Sequence, residues 1–241
     1  MREACRLTAE VRDLAAAAVR PGATTADIDA VVRNFCKERK VAASFLGYEG
    51  YPGALCVSIN DEIIHGIPSP HRMIMPGDLV KVDVGVCKHG FNGDTARTVA
   101  VGVTDPKLLD LVETTKKCLA AGIAAAGPGV HLGDVGAAIQ EVAESKGYGV
   151  VRDYIGHGVG RTIHEDPPVP NYGKRGKGFI LKPGMTIAIE PMITLGTYKV
   201  DVLEDEWTVV TRDGSMAAHF EHTVLITDDG AEILTLPADY P

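Results

Sequence analysis

With 241 residues the chain can bury a substantial core as one domain or two, and its 45% apolar and 23% charged residues are ordinary for a globular protein. No apolar run approaches the roughly 20 residues that a membrane span needs, and the opening MREACRLTAEVRDL lacks the basic-then-apolar block of a secretory signal, so a cytoplasmic protein is expected. The formal net charge is −8 with no basic cluster beyond Lys174, Arg175 and Lys177, which argues against nucleic acid; five cysteines without a CxxC pair fit a reducing compartment.

Leu7, Val11, Leu14 and Ala18 fall at helical spacing over residues 2–19 and stop at Pro21-Gly22. Thr24 with Asp27 is a capping-box pattern that opens a second helix to about Arg39. β-rich segments follow at 54–59, 79–86 and 96–103. In LVKVDVGV, Val80, Val82, Val84 and Val86 take one face, so Asp83 projects from the other with Lys81 and Gly85. A turn from His89-Gly90 to Asn92-Gly93 then allows an antiparallel return that brings Asp94 back toward Asp83. Asp105 and Pro106 read as N-cap and first-turn proline of a third helix to about Ala126. Val135, Ile139 and Val142 stripe a fourth, which stops at Gly147, and further strands are expected at 186–193, 207–211 and 221–227. The fold class is α+β.

The chain repeats itself. Pro21-Gly22 with Asp27 recurs as Pro128-Gly129 with Asp134, and Pro76-Gly77 leading to Asp83 recurs as Pro183-Gly184 leading to Glu190, both at an offset of 107 residues. Off that spacing, IIHGIP around His65 resembles TIHEDP around His164, and Asp94-Thr95 resembles Glu221-His222-Thr223. Any one match is ordinary turn chemistry; the shared offset implies two similar halves related by an approximate two-fold, with a cleft between them.

Asp83, Asp94, Glu190 and Glu221 are expected to converge on that cleft, where four carboxylates cannot all stay ionised without counter-charge. Two divalent cations would cancel their charge, and His157 in the turn Gly156-His157-Gly158 adds a nitrogen donor, a mixture that suits Mn, Fe, Co or Zn better than Ca or Mg. A single strand acid beside a turn is ordinarily a solvated edge residue; four at symmetry-linked places with a histidine are not. GHGVG could pass for a phosphate-cradling loop, but no helix follows it. His71, His89, His131 and His219 read as solvent-facing turn residues, and His222 is either a further site residue or a support for Glu221.

In their order and local contexts, Asp83, Asp94, His157, Glu190 and Glu221 resemble the five metal ligands of the type I methionine aminopeptidases. From about Arg2 to the C-terminus, NDEIIHGIP, NGDTAR, GHGVGRTIHEDP, LKPGMTIAIEP and FEHTVLIT are similar to that family's signature segments. The resemblance implies a pseudo-two-fold pita-bread fold, a curved antiparallel sheet with helices outside, in one catalytic domain over 1–241 with halves of about 1–104 and 105–241. It implies removal of the initiator methionine, preferably before a small second residue. Asp83 would chelate one ion, His157 and Glu190 the other, and Asp94 and Glu221 both; a hydroxide between the metals would attack the scissile carbonyl and Glu190 would pass the proton to the leaving amine. His65 and His164 would contact the substrate amide and the tetrahedral intermediate, and Phe45, Tyr48, Tyr51, Cys56, Ile163 and Trp207 would surround the methionine side chain. Phe45, Glu49 and Ile163 depart from the family's usual residues, which bears on pocket size and leaves the metal ligands untouched. The implied partners are N-termini of nascent polypeptides, including those at the ribosome, with no nucleic acid and no membrane, and the implied state is a monomer. The alternatives are an Xaa-Pro aminopeptidase or dipeptidase of the same fold, which usually carries a further N-terminal domain, and a non-catalytic pita-bread binding protein, which would have lost ligands.

Overall fold

The computed structural model describes residues 1–237. The first half runs α1 (Arg2–Ala18), α2 (Thr25–Arg39), β1 (Ala42–Ala43), β2 (Cys56–Ile59), β3 (Glu62–Ile64), β4 (Leu79–Lys88) and β5 (Phe91–Ala100). The second runs α3 (Pro106–Ala125), α4 (Leu132–Glu144), β6 (Gly149–Val150), β7 (Gly156–Gly158), β8 (Glu165–Val169) and β9 (Thr186–Ile189). It continues through β10 (Met192–Thr194), β11 (Val200–Val202), β12 (Val209–Thr211), β13 (Ala217–His219), β14 (His222–Ile226) and β15 (Ala231–Ile233).

Local chemistry sets the helix boundaries. The Thr24 hydroxyl accepts from the Asp27 amide at 3.2 Å while the Asp27 carboxylate accepts from the Thr24 amide at 2.8 Å. In the second half the Asp134 carboxylate accepts from the His131 amide at 3.2 Å. Asp105 caps α3 by accepting from the Lys107 amide, with Pro106 in the first turn. On α1 the buried stripe is Ala4, Leu7, Val11 and Ala15; Leu14, expected on that face, is 46% exposed because its position lies past the edge of the stripe.

β4 is the hub of the first half, paired with β1 and β2 on one edge and with β5 on the other. Val80, Val82, Val84 and Val86 are fully buried in a core with Leu7, Val11, Ile28 and Val32, each contributing about 1.5–3 kcal/mol by leaving water. Asp83 therefore projects from the opposite face, as the alternation predicts. The β4–β5 turn is tighter than expected: Lys88 already pairs with Phe91, and His89 (φ 53°) and Gly90 (φ 75°) alone make the reversal, so the strand expected at 96–103 spans Phe91–Ala100.

The second half centres on a five-stranded sheet ordered β15-β14-β9-β7-β8. The strand expected at 186–193 breaks at Glu190-Pro191, where proline cannot donate to a ladder; β9 stays in this sheet and β10 leaves to pair with β13 and β6. Gly156–Gly158, expected as a turn, is a strand between β8 and β9. β12 pairs with β3 and so ties the halves together.

The duplication recurs in hydrogen bonds. Thr24 bridges Met73 and His131 bridges Ile180, 107 residues later. The Gly22 amide donates to the Ile74 carbonyl and the Gly129 amide to the Leu181 carbonyl, both at 2.9 Å. After the hairpins the spacing changes to 125: the Val101 amide donates to Asp78 and the Ile226 amide to Met185. The segment carrying β10 to β13 accounts for the difference.

Candidate metal centre

The five predicted ligands come from five places in the fold. Asp83 lies in mid-β4, paired with Ala96 on one side and Cys56 on the other, and Asp94 lies in β5 opposite Gly85. Glu190 follows β9 at the Pro191 break, Glu221 immediately precedes β14, and His157 is the middle residue of β7. All five line one cavity of about 610 Å³. Ligand atoms of Asp94, His157 and Glu221 lie within 4.8 Å of one another. His157 Nε2 is 3.5 Å from Glu190 Oε1 and 3.8 Å from Asp94 Oδ2. Asp83 is outside the tightest three-residue group but shares the cavity wall.

Hydrogen bonds hold the two strands that carry Asp94 and Glu221. The Thr223 hydroxyl accepts from the Asp94 amide at 3.0 Å and donates to the Asp94 carbonyl at 2.8 Å. The Thr95 hydroxyl donates to the Glu221 carbonyl at 2.7 Å and accepts from the buried Arg12 guanidinium at 3.0 Å. Farther along, Thr98 treats His219 as Thr223 treats Asp94, accepting from its amide at 2.9 Å and donating to its carbonyl at 2.8 Å. Thr98 and Thr223 are thus equivalent, and so are Asp94 and His219. The expected equivalence of Asp94-Thr95 with Glu221-His222-Thr223 is corrected by this register: Glu221 is level with Ala96, and its carboxylate reaches the cluster from a different strand position.

The electrostatics are those of a site built for cations. Burial, reinforced by Asp83 and Glu190, holds the Asp94 carboxyl well above the usual range; burial and the charges of Asp94, Glu190 and Asp83 do the same to Glu221, against the pull of Arg12. Burial pushes Asp83 up to about 7, with His219 opposing and Glu190 adding, and Glu190 up to about 8. Asp83 Oδ1, Asp94 Oδ1 and Glu221 Oε1 are buried without a hydrogen-bond partner among the described residues. His157 donates from Nδ1 to the Gly158 carbonyl at 2.8 Å, which leaves Nε2 as a lone pair facing the acids, and burial lowers its pKa to about 4. Orphaned carboxylate oxygens around a neutral imidazole nitrogen fit divalent metal of the Mn, Fe, Co or Zn kind.

The other predicted residues surround this cluster. His164 stands edge-on to His157 at 4.3 Å between ring centroids, with Nδ1 2.9 Å from the Tyr48 hydroxyl. His65, at φ 60°, lines the cavity beside Trp207 and Tyr154, and burial lowers its pKa to about 4. Phe45, Tyr51 and Cys56 are buried in one cluster with Ile163, against which Tyr48 and Trp207 pack. Tyr51 stands edge-on to Trp207 at 5.0 Å and its hydroxyl is 2.9 Å from the Gly66 carbonyl. Burial, with the charge of Asp83 next, keeps the Cys56 thiol protonated. Ile163 is placed behind the cavity wall rather than in it, while Glu49, at φ 48°, is part of the lining.

Two histidines differ from expectation. His219 is 1% exposed, because the short β13 pairs with β10 and carries its ring to within 3.6 Å of Glu190 Oε2. His131 is half-buried at the start of α4, whereas His71 and His89 are exposed as expected. His222 faces away from the cavity, with Nδ1 2.8 Å from the Thr235 hydroxyl. Tyr154, Ile155 and Pro168 also line the cavity, and no pattern in the sequence marks them.

A sequence profile of metallopeptidase family M24 matches residues 1–228. The chain is 49% identical over 236 residues to a methionine aminopeptidase of Clostridium acetobutylicum, covering 98% of this chain and 94% of that one. Among solved structures, the methionine aminopeptidase of Thermotoga maritima superposes with a TM-score of 0.96 at 48% identity, covering 98% and 94% of the two chains. The prolidase of Pyrococcus furiosus superposes at 0.72 with 28% identity, and only 63% of its chain is covered.

Proposed function

The chain belongs to metallopeptidase family M24, and from that premise we propose that its acid cluster is the dinuclear centre with which it removes N-terminal methionine. It is a metal-dependent aminopeptidase of pita-bread fold acting on the N-termini of polypeptides. The observation that carries the site assignment is the set of unpartnered carboxylate oxygens of Asp83, Asp94 and Glu221 in one cavity, the last two residues grouped with His157. In our reading Asp83 holds one ion, His157 and Glu190 the other, and Asp94 and Glu221 both. The ions would neutralise the acids, acidify a water and polarise the scissile carbonyl.

The protein's own groups do the rest. Tyr51, Cys56 and Trp207, with Phe45 and Tyr48 beside them, form the apolar and aromatic wall that receives the thioether, and Ile163 supports it from behind. His164, oriented by Tyr48, and His65 offer ring N–H groups to the substrate amide and to the oxygen on which charge develops. Both are uncharged at neutral pH because burial lowers their pKa values, so they donate without repelling the cations. Glu190, which gives up its own proton when it takes its ion, would accept the proton of the attacking water and deliver it to the leaving amine.

We further infer a single catalytic domain over 1–241, with halves of about 1–104 and 105–241, acting as a cytoplasmic monomer on nascent chains, including those at the ribosome, with a preference for a small second residue. No helix among the described residues is long and apolar enough to cross a membrane. The test is release of the first residue from Met-Ala-Ser and Ala-Pro-Ser by chelator-stripped enzyme given back Mn, Co, Fe or Zn. Metal-dependent cleavage of the methionine peptide alone is expected; cleavage of the proline peptide would move the activity to that of the prolidases.

A further inference from the structure

His219 has no part in the scheme above, yet it is buried against it. We propose that His219 is a positioning residue of the metal centre, its ring N–H holding Oε2 of Glu190 so that Oε1 is presented to the ion shared with His157. The proposal rests on the reading of the acid cluster as the metal site.

The backbone puts His219 there by the fold's own symmetry. Thr98 clasps the His219 amide and carbonyl as Thr223 clasps those of Asp94, so the second half carries an imidazole where the first half carries a carboxylate of the cluster. The side chain is 1% exposed, and neither ring nitrogen has a hydrogen-bond partner among the described residues. A buried imidazole with two idle nitrogens is unfavourable unless something in the working site meets it. The group that can do so is Glu190, whose carboxylate is bracketed by two histidines. Oε1 lies 3.5 Å from His157 Nε2 and Oε2 lies 3.6 Å from His219 Nε2.

The two imidazoles differ in what they offer. His157 commits Nδ1–H to the Gly158 carbonyl, so its Nε2 is a lone pair and acts as a ligand. His219 has no such commitment, and its Nε2 is free to carry the proton and donate. Closing the last few tenths of an ångström would give Glu190 one oxygen for the metal and one for a fixed donor, the arrangement by which outer partners orient metal-binding carboxylates.

Isothermal titration of the chelator-stripped full-length chain with MnCl₂ or CoCl₂ reads the effect without turnover. H219L is expected to weaken ion binding by about 10- to 100-fold, and H219Q, whose amide can donate to the same oxygen, to recover affinity to within about threefold of wild type. Wild-type affinity in H219L would overturn the proposal. Long-range ¹⁵N–¹H spectra of the histidine rings in the zinc-loaded wild-type chain need no variant: His219 Nε2 is expected to keep its proton while His157 Nε2 carries none. A metal-bound His219 nitrogen, or a His219 Nε2 without a proton, would overturn positioning. If the wild-type chain takes up no ion, the metal-site reading itself fails; if it takes up two and H219L binds them as tightly, only the His219 assignment fails.

Discussion

Thr223→Val is the substitution that most directly tests how the centre is held. Valine keeps the shape of threonine but removes the hydroxyl that accepts from the Asp94 amide and donates to the Asp94 carbonyl, at a position with no solvent exposure. Each buried backbone group left unpaired costs about 1–3 kcal/mol, and the two belong to one residue and relax together, so a loss of about 2–4 kcal/mol is expected. For a chain of this length each kcal/mol lowers the midpoint of thermal unfolding by roughly 2–4 °C. Thr223→Ser keeps the hydroxyl and is expected to lose only about 1 kcal/mol, for the buried methyl group. The assay is urea unfolding of the metal-free chain followed by circular dichroism. T223V within about 0.5 kcal/mol of wild type, or T223S as damaged as T223V, would refute the clasp, since either result means that the hydroxyl's two bonds carry no net stability.

Asp94→Ala or Glu221→Ala is expected to abolish turnover and weaken ion binding by at least about tenfold while the circular dichroism spectrum is kept; full activity in either sinks the ligand assignment. Ion uptake is expected to expel protons in a pH-dependent way. At pH 6, Asp83 (about 7) and Glu190 (about 8) are both protonated without metal and release about two protons on loading, on top of those from Asp94 and Glu221, whereas by pH 9 Asp83 and Glu190 release almost none. His157, at about 4, contributes none across that range. Calorimetry in buffers of different ionisation enthalpy measures this release, and a value independent of pH would contradict it. These acids have folded pKa values above their unfolded ones, so their contribution to stability is full below about pH 4 and is lost as pH climbs through about 7 and 8. The metal-free chain is therefore expected to lose stability relative to the loaded chain between pH 6 and 9. Gly66→Ala is expected to lose at least about 2 kcal/mol and most activity, because a Cβ there would run into the Val57 carbonyl beside His65; urea unfolding and peptide turnover together check it, and a neutral variant would argue against that close approach.

Asp83 was legible because four alternating valines leave a strand residue only one other face to occupy. Asp94 was legible through the hairpin, although the turn proved three residues shorter at its far end, with His89 taking the left-handed conformation that a two-residue reversal demands. Glu190 followed from the 107-residue offset, but the break at Pro191 did not: a proline ending one strand looks the same in sequence as a proline that moves the chain into another sheet. His157 was legible as a nitrogen donor in a glycine-flanked segment beside the acids, but its place in a strand was not, since GHG carries no strand pattern. His219 was missed for a definable reason. The 107-residue spacing stops at the hairpins, and beyond them it is Thr98-Val99 that matches Thr223-Val224 at 125, which sets Asp94 against His219. Matching Asp94-Thr95 to Glu221 chose the shared carboxylate over the shared register.

That difference of register explains how a duplicated fold makes an unsymmetrical centre. Strict repetition would give each half one acid in the long strand and one in its hairpin partner, and so two equivalent ion sites. The first half keeps that pattern with Asp83 and Asp94. The second keeps only Glu190 in register and has His219 in the partner position, while Glu221 sits two residues on, where the chain between β13 and β14 is free of the ladder. His157 enters from β7, a strand that lies beside β9 and adds its nitrogen on that side alone. Asp83 and Asp94 thus bring only oxygen donors to the cavity, whereas the second half brings oxygen from Glu190 and Glu221 and nitrogen from His157, so two ions held there would differ in affinity and in acidity even though the strands beneath them are copies.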